Sequence, residues 1–514
     1  MTNDDDAGNV VFVVMDTVRK SHLSVYGYDR PTTPGLERFA DEATVFEQAV
    51  APAPWTLPVH ASLFTGMYPS EHGASQENPY LEGATTLAET LSGAGYETAC
   101  YSSNAWITPY THLTDGFDDQ DNFFEVMPGD FLSGPLATAW KTMNDNPTLR
   151  RVADYLVSLG NKVHEYTASG GGADSKTPQV VDRTIEFIDD ADDDYFAFVN
   201  LMDAHLPYHP PEKYKQEFAP GVDSTEVCQN SKEYNCGARD IDDDEWEAIE
   251  GLYDAEIRHI DVELQRLFSW LQDNGEWEDT MVVVCADHGE LHGEHDLYGH
   301  EFCIYDPLVN VPLMVKHPEL EAGAREDGQV ELLDLYHTVL DHAGVEATDA
   351  TESTETTESA ATRVPLDRTR SLLDADYREV AEGGDDPTGG DYAFVEYYRP
   401  VVELKQLEQK ASDAGITLDQ DSRFYSRMRA ARRPDAKYVR NERIADEFYH
   451  LDDDPGETDD ARGEGTDEEV ELEATLSAFE QRVGGEWKEV EDGDVLDEMS
   501  DDAKDRLQDL GYID

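Results

Sequence analysis

The sequence predicts an α/β protein with a mixed, mostly parallel central sheet flanked by helices, followed by a smaller C-terminal α+β subdomain. Short apolar, β-branched segments alternate with helical segments over residues 1–345. Such alternation is typical of parallel strands that are buried on both faces and joined by crossover helices. Several of these segments end at polar residues, and open α/β sheets bind ligands at that edge. The predicted strands are Val10–Met15, Glu97–Ser102, Tyr195–Met202, Thr280–Ala286 and Val311–Val315.

Helical and connecting segments separate these strands. Gly95 closes the helical segment Thr86–Ala94, because glycine suits the left-handed position after a helix. We expect Thr44–Ala51 to be a connection, residues 116–175 to be less regular, and Glu212–Ile241 to be an insert without a core of its own. The remaining helices are predicted over Leu36–Ala43, Val180–Asp189, Trp246–Asn274 and Glu331–Ala343.

The chain divides into three predicted regions. Residues 1–345 form the main α/β domain, residues 346–391 an acidic, low-complexity linker or loop, and residues 392–514 the C-terminal subdomain. Within the linker, Thr348–Thr362 is polar and has almost nothing to bury. The elements predicted in the last region are a strand at Tyr392–Tyr398 and helices at Val470–Val483 and Ala503–Leu510.

The charge balance is strongly acidic. The chain has 113 acidic and 38 basic side chains, a formal net charge of -75. This balance excludes nucleic acid and anionic membranes as partners, because phosphate binding needs Lys and Arg. With 39% hydrophobic residues, the composition is not that of a disordered chain. It indicates a halophilic, acid-coated globular protein, since about 1 M salt screens charges beyond ~3 Å.

Cysteine usage and the first residues bear on the compartment. The five cysteines are scattered and odd in number, which is not a secreted disulfide framework. Cys228 and Cys236 flank a polar insert and are candidates for pairing or metal binding. The start of the chain has no basic region of a signal peptide. No apolar run reaches the ~18 residues of a membrane span. We therefore expect a cytoplasmic protein, with its oligomeric state left open.

One stretch brings an alcohol, an imidazole and a helix end together. Val59–Phe64 is predicted to be a short apolar helix that ends at Gly66. Thr56 would lie at its N-terminal end, where free backbone N–H groups attract anions. His60, four residues on, lies one turn away on the same face. The alternative is that Thr56 serves only as an N-cap.

Polar residues at the strand ends complete a candidate site. Two carboxylates and an imidazole at one sheet edge make a hard, oxygen-rich site for a divalent cation. Such a cation lowers the pKa of a coordinated hydroxyl, which is one of the few ways to activate a threonine. Neighbouring side chains can then donate hydrogen bonds to a tetrahedral anion. The residues at the strand ends are Asp16, Asn104, Asp203, His205, Asp287 and His288, with His60 and His300 as further donors.

The segments that carry these residues resemble the sulfatases and related hydrolases of the alkaline phosphatase superfamily. The likeness runs from about Val10 to Gly344, with shorter matches in the C-terminal part. The main matching segments are VVFVVMDTVRKSHLSVYGY, TLPVHASLFTGMYPSEHG, NLMDAHLPYHPP and CADHGELHGEHDLYGHEFCIYDPLVNVPLMV. Near the end, EFYHLDDDPGETDD and DLGYID match as well.

The resemblance implies an alkaline-phosphatase-like fold and a role for each matching residue. Thr56 would be the nucleophile, aided by His60, and Asn104, His205 and His300 would contact a small anionic ester. One divalent ion is implied, most simply manganese or calcium, with zinc or magnesium as alternatives. A second ion would need Asp203, His205 or His209. The implied metal ligands are Asp16, Thr56, Asp287 and His288.

The departures from the family pattern refine this expectation. Sulfatases carry a cysteine or serine that becomes formylglycine within a Cys-x-Pro-x-Arg motif, whereas this chain has Thr56 and His60 there. No formylglycine is expected, because threonine cannot give that aldehyde. Thr17 replaces a second aspartate, and His300 replaces a lysine.

The sequence therefore predicts a sulfatase-like, metal-dependent hydrolase of a sulfate or phosphate ester. One alternative is an enzyme that resembles the phosphodiesterases and phosphoglycerol transferases of the superfamily, because these resemble the chain in the threonine nucleophile and the single aspartate. The other alternative is a non-catalytic, anion-binding homologue, since the altered Thr56 and His60 pair is also compatible with lost chemistry.

Overall fold

The computed structural model describes residues 8–76, 78–123, 175–345, 362–374, 377 and 392–484. The strands in these residues are β1 (Asn9–Met15), β2 (Thr44–Val50), β3 (Glu97–Ser102), β4 (Asp119–Asn122), β5 (Tyr195–Leu201), β6 (Thr280–Cys285), β7 (Leu291–His292), β8 (Tyr298–Gly299), β9 (Asn310–Lys316), β10 (Arg325–Glu331), β11 (Ala393–Tyr397), β12 (Met428–Arg432), β13 (Ala436–Asn441) and β14 (Glu447–His450). The α-helices are α1 (Pro34–Ala40), α2 (Thr56–Thr65), α3 (Pro69–His72), α4 (Leu87–Ala94), α5 (Thr177–Asp190), α6 (Glu212–Phe218), α7 (Ser231–Asn235), α8 (Asp243–Asn274), α9 (Asp306–Val309), α10 (Asp334–His342), α11 (Val401–Asp413) and α12 (Asp467–Arg482).

An eight-stranded sheet with the order β10-β2-β9-β6-β1-β5-β3-β4 forms the centre of the described chain. Only β9 in this sheet runs against its neighbours. The apolar run Val10–Met15 lies on β1 and is buried throughout, as expected for a strand covered on both faces. The predicted α/β class with a mostly parallel sheet is therefore confirmed.

The parallel register of three strands brings the site residues to one edge. Strand β1 pairs in parallel with β5 on one side and with β6 on the other. Asp16 directly follows β1, and its N–H donates to the carbonyl of Leu201 at the end of β5, at 2.9 Å. Asp287 lies two residues beyond the end of β6. The sheet thus places two acidic side chains from distant parts of the sequence side by side.

Several predicted boundaries were wrong. Thr44–Val50 is strand β2 and not a connection, and β10 adds a further edge strand beside it. The helix predicted from Glu331 begins at Asp334, because Glu331 still belongs to β10. The insert does contribute to the core, since Tyr214 and Phe218 on α6 are buried against Ala255.

Three expectations fall wholly or mostly outside the described residues, and the first is the irregularity expected over 116–175, of which only 116–123 and 175 are described. The other two concern later parts of the chain. These are the helix predicted at Ala503–Leu510 and all but the last residue of the low-complexity segment Thr348–Thr362. The division into three regions therefore stays a prediction. Within the described ranges, no helix combines the length and the apolar character that crossing a membrane requires.

The C-terminal strands β11–β14 form a four-stranded antiparallel sheet. Helix α12 covers one face of this sheet, where the rings of Phe394 and Phe479 stack with centroids 4.2 Å apart. A buried ion-pair network attaches this sheet to α9 of the main domain. Arg432 contacts Asp306 at 2.7 Å, and Lys437 contacts both Asp306 (3.1 Å) and Glu457 (2.9 Å). This network fixes the position of the C-terminal sheet, which contributes to the wall of the cavity described below.

We predict that R432M lowers the free energy of unfolding by about 3–5 kcal/mol at pH 7, because it removes one partner of a buried ion pair. Burial alone would raise the pKa of Asp306, but Arg432 and Lys437 hold it well below its usual range. A carboxyl of this kind stabilises the fold above its unfolded pKa of about 4 and loses that contribution as the pH falls. The difference between wild type and R432M in urea unfolding should therefore shrink below about pH 4.

The matched control is R433M. Arg433 is the next residue along the chain and pairs with Asp435 and Glu471 at the surface. Its loss should change the unfolding free energy by less than about 1 kcal/mol. Equal losses in the two variants would show that the buried network has no special part in stability.

Candidate active site

Thr56 is the first residue of helix α2. The helix begins one turn earlier than Val59, where we predicted it to start, and it ends at Gly66 as expected. Trp55 occupies the N-cap position, so the hydroxyl of Thr56 does not serve as a cap. The Thr56 side chain is buried, and its Oγ1 accepts a hydrogen bond from Asn104 Nδ2 at 3.3 Å. The alcohol is therefore held at the N-terminal end of a helix by a side-chain amide.

The amide of Asn104 links Thr56 to Asp16. The same Nδ2 donates to Asp16 Oδ2 at 2.7 Å, and Asn200 Nδ2 lies 3.2 Å from that oxygen. Oδ1 of Asp16 accepts from the hydroxyl of Thr17 at 2.7 Å. Both oxygens of Asp16 are thus oriented by neighbouring donors, and the carboxylate shares one donor with the Thr56 hydroxyl.

Backbone donors hold one oxygen of Asp287. Its Oδ1 accepts from the N–H groups of Thr17 at 3.1 Å and His288 at 2.9 Å. Thr17 has a φ of 64°, which is uncommon for a β-branched residue and typical of functional sites. Gly289, the residue after His288, packs directly against the backbone of Pro307. A Cβ at this position would lie 2.0 Å from the carbonyl oxygen of Pro307, so only glycine fits. The turn after β6 is thereby fixed in one conformation.

Three side chains at this edge have the donor set of a divalent cation site. Ligand atoms of Asp16, Asp287 and His288 lie within 4.8 Å of one another, and all three residues are buried. Asp287 Oδ2 and His288 Nε2 lack any hydrogen-bond partner and lie 3.4 Å apart. Burial and the charge of Asp16 raise the pKa of Asp287 well above its usual range. Buried ligand atoms without a hydrogen-bond partner fit a metal ion, because the ion would coordinate both of them.

His60 lies beneath this centre. Its Nδ1 lies 2.9 Å from the carbonyl oxygen of Thr56, and its Nε2 lies 3.4 Å from Asn200 Nδ2. Burial lowers the pKa of His60 to about 4, so the ring is neutral at pH 7. We expected His60 to offer a hydrogen bond or charge to the substrate, but it is absent from the lining of the neighbouring cavity. The geometry is that of a residue that positions the first turn of α2.

A cavity of about 370 Å³ opens beside Thr56. Its lining includes four of the predicted site residues, Thr56, Asn104, His205 and His300. Further lining comes from Trp55, Trp106, Gln76, Lys232 and Glu301, and from the C-terminal part through Tyr397, Pro400, Glu403 and Gln406. The alcohol, its amide partner and two imidazoles therefore face one space.

The cationic groups of this cavity are paired with carboxylates. His300 Nδ1 lies 3.1 Å from Glu290 Oε1, and its ring centroid lies 4.6 Å from that of His288. Burial would lower the pKa of His300, but Glu290 raises it to about 9. Lys232 forms an ion pair with Glu301. The cavity therefore combines one imidazolium and one ammonium with nearby acidic groups.

Sequence reasoning missed Asn200, Glu290 and Lys232. Asn200 lies inside the mostly apolar strand β5, and we did not consider it as a site residue. A polar residue in a fully buried strand is nevertheless a signal that could have identified it. Lys232 comes from the insert that was expected to lack a core.

Other expected residues are placed elsewhere. Asp203 contacts His259, and His209 Nδ1 lies 3.0 Å from Ser224 Oγ, so neither belongs to the trio of potential ligands. Cys228 and Cys236 are free and buried, and so do not form a disulfide. Their thiols donate to the backbone carbonyls of Asn230 and Glu233.

A family model described as Sulfatase matches residues 8–345. The chain belongs to the sulfatase family. The match covers the main α/β domain, including every residue of the trio and of the Thr56 helix. Membership of this family makes the chain an ester hydrolase of the alkaline phosphatase superfamily, as predicted.

Individual relatives of this chain are distant. An arylsulfatase of Clostridium perfringens is 24% identical over 369 residues, which cover 66% of this chain and 76% of the relative. A multifunctional alkaline phosphatase superfamily protein of Trinickia caryophylli, PehA, is 26% identical over 425 residues, 72% of this chain and 81% of the relative.

A solved structure supports the fold of this chain. The phosphonate monoester hydrolase of Agrobacterium radiobacter superposes with a TM-score of 0.64 at 19% identity, covering 93% of this chain and 96% of the other. The alkaline-phosphatase-like fold expected from the sequence is thereby confirmed, including the small antiparallel C-terminal sheet.

We predict that D287N lowers the thermal stabilisation that the protein gains from a divalent metal ion, because the variant loses the ion held with Asp16 and His288. Asp287 Oδ2 is an unpaired buried oxygen in the trio, and an ion that binds only the folded state raises the midpoint of unfolding. The measurement is calorimetry of metal-free protein with and without Mn²⁺ in high salt. D273N, an exposed change at the end of α8, should keep the wild-type increment. An unchanged increment in D287N would contradict the assignment of this side chain as a ligand.

Proposed function

We propose that this sulfatase-family protein is a metal-dependent hydrolase of sulfate or phosphate esters with Thr56 as its nucleophile. The observation that carries the proposal is the amide of Asn104, which donates to both Thr56 Oγ1 and Asp16 Oδ2 beside the unpaired atoms of Asp287 and His288. The Thr56 hydroxyl therefore shares a donor with one of the three potential ligands, and Thr56 lines the cavity.

Asp16, Asp287 and His288 would hold one divalent ion, with the Thr56 hydroxyl as a further ligand. Manganese or calcium suits the oxygen-rich donor set best, and zinc or magnesium is the alternative. When bound, such an ion would lower the pKa of the hydroxyl and offset negative charge on the ester oxygens. No formylglycine is part of this proposal, because the side chain is a threonine.

The chain's own residues would then perform the following steps. Asn104 orients Thr56 Oγ1, which attacks the sulfur or phosphorus atom and gives its proton to water in the cavity. The bond to the ester oxygen breaks, and the alcohol leaves with the electron pair of that bond and takes up a proton from water. His300 and His205, which face the cavity, donate hydrogen bonds to the anionic oxygens. Water attacks the resulting threonyl ester and restores the hydroxyl. His60 keeps the first turn of α2 in place through the carbonyl of Thr56.

The substrate class follows from the charges around the cavity. Lys232 is paired with Glu301, and the positive charge of His300 is balanced by Glu290. Little positive charge therefore remains to bind a dianion, which favours a singly charged sulfate ester or phosphate diester over a phosphate monoester. The phosphodiesterase-like alternative differs only in the ester, and transfer differs only in an acceptor alcohol that replaces water.

The acidic composition supports a habitat, and the five free cysteines support a compartment in which disulfides do not form, as further parts of the proposal. A net charge of -75 would destabilise the compact state in dilute buffer through self-repulsion, and salt screens it. We therefore infer a halophilic, cytoplasmic enzyme that needs molar salt.

We predict that T56A lowers kcat for a nitrophenyl ester at least about 10³-fold in Mn²⁺ and high salt, because the nucleophile is lost. The metal content should stay near that of wild type, and T56S should recover part of the activity. T65A is the matched control, since Thr65 lies at the far end of the same helix and donates to the carbonyl of Ala61. Undiminished turnover by T56A would refute the role of Thr56. A wild type that is silent on every ester tested would favour the non-catalytic, anion-binding homologue.

We predict that nitrophenyl sulfate and a nitrophenyl phosphate diester are hydrolysed with a higher kcat/KM than nitrophenyl phosphate. The reason is the small surplus of positive charge in the cavity. The three esters are compared at one pH and one salt concentration, with the buffer reaction subtracted. A clear preference for the phosphate monoester would overturn the charge argument without touching the role of Thr56.

A further inference from the structure

A second cluster of metal-ligating side chains lies outside the candidate active site. Asp203 follows β5 by two residues, and Glu256 and His259 lie one turn apart on the same face of α8. Ligand atoms of these three residues lie within 4.8 Å of one another. None of the three lines the cavity beside Thr56, and none belongs to the trio of Asp16. The two clusters are therefore separate groups of residues.

The cluster contains buried atoms with no hydrogen-bond partner. Asp203 Oδ1 and His259 Nδ1 are both in this state, and their side chains are only 3% and 6% exposed. The remaining oxygen of Asp203 accepts a hydrogen bond from the Thr177 hydroxyl, and Glu256 Oε1 accepts from the N–H of His209 at 2.8 Å. Each carboxylate thus has one oxygen oriented by a hydrogen bond from the protein, which is how neighbouring donors commonly orient metal ligands.

The spacing of the unpaired atoms fits one small ion. Asp203 Oδ1 and His259 Nδ1 lie 3.2 Å apart. Two ligands at ~2.0–2.2 Å from a tetrahedral ion are separated by about 3.4 Å. An ion pair between Asp203 and a protonated His259 is the competing explanation for this contact. Such an ion pair would not involve Glu256, whose carboxyl lies in the same buried space. Burial and the charge of Asp203 raise the pKa of Glu256 well above its usual range.

We propose that Asp203, Glu256 and His259 bind a second divalent cation, of the zinc or manganese class, with water completing the coordination. Two oxygen donors and one imidazole suit these ions, and a divalent charge balances the two carboxylates. The ion would join the segment after β5 to helix α8. That segment continues to His205, which lines the cavity, so the site would hold one wall of the cavity in place. Asp203 was expected to serve a second ion at the active site, and here it has different partners.

The test is the metal content of the full-length protein. Metal-free protein is saturated with Zn²⁺ and, separately, with Mn²⁺ in about 2 M KCl, which suppresses loose binding to the acidic surface. Bound metal is counted after gel filtration. For wild type we expect two ions per chain, and for E256Q and H259Q one, with the affinity of the lost site reduced at least about 100-fold. E247Q is the matched control, since Glu247 is exposed on the same helix and should keep two ions.

A variant at the active site separates this proposal from the proposed function. D287N should lose the other ion and keep the one at Glu256. If wild type binds a single ion that D287N removes and E256Q retains, the second site does not exist and the active-site assignment stands. Should E256Q and H259Q both fail to fold, crystals of wild type grown with Zn²⁺ decide by anomalous scattering. A peak between the three side chains supports the site, and its absence there overturns it.

Discussion

The parallel pairing of β1 with β5 and β6 is the constraint on which the site depends. It sets the ends of these strands side by side, so Asp16 and Asp287 meet although 270 residues separate them. Two buried carboxylates repel each other unless donors or a cation compensate. The backbone N–H groups of Thr17 and His288 and the amide of Asn104 supply the donors. The amide of Asn104 also donates a hydrogen bond to the hydroxyl of Thr56, the first residue of helix α2, and so fixes the position of that hydroxyl.

Most of the sheet could be predicted because its central strands have a simple signal. The runs that became β1, β5 and β6 are almost entirely apolar. Their predicted bounds, and those of β3, differ from the observed ones by at most one residue at each end. Strands β2 and β10 carry no such signal, because they lie toward one edge of the sheet and contain polar residues that remain half exposed or exposed. Their conformation is set by pairing with each other and with β9, which a local pattern cannot show.

The residues of the candidate site also fall into those that the sequence could predict and those that it could not. Residues at strand ends were identifiable because their position implies a shared edge, and Thr56, Asn104, His205 and His300 do line one cavity. The sequence could not show which of these side chains reach the cavity and which are buried beneath it. His60 was placed on the correct face of its helix, yet whether its ring meets the cavity or the sheet depends on packing against Asn200. Lys232 reaches the cavity from an insert whose path no periodicity encodes.

The C-terminal part supplies one wall of the cavity through Tyr397, Pro400, Glu403 and Gln406, all beyond the region that the family shares. The potential metal ligands therefore lie in the earlier stretch of the chain, whereas both stretches line the cavity. Substitutions in the later stretch can change the shape of the cavity without replacing any of the potential metal ligands. A single cavity wall could thus be redesigned independently of the edge of the sheet where the potential ligands lie.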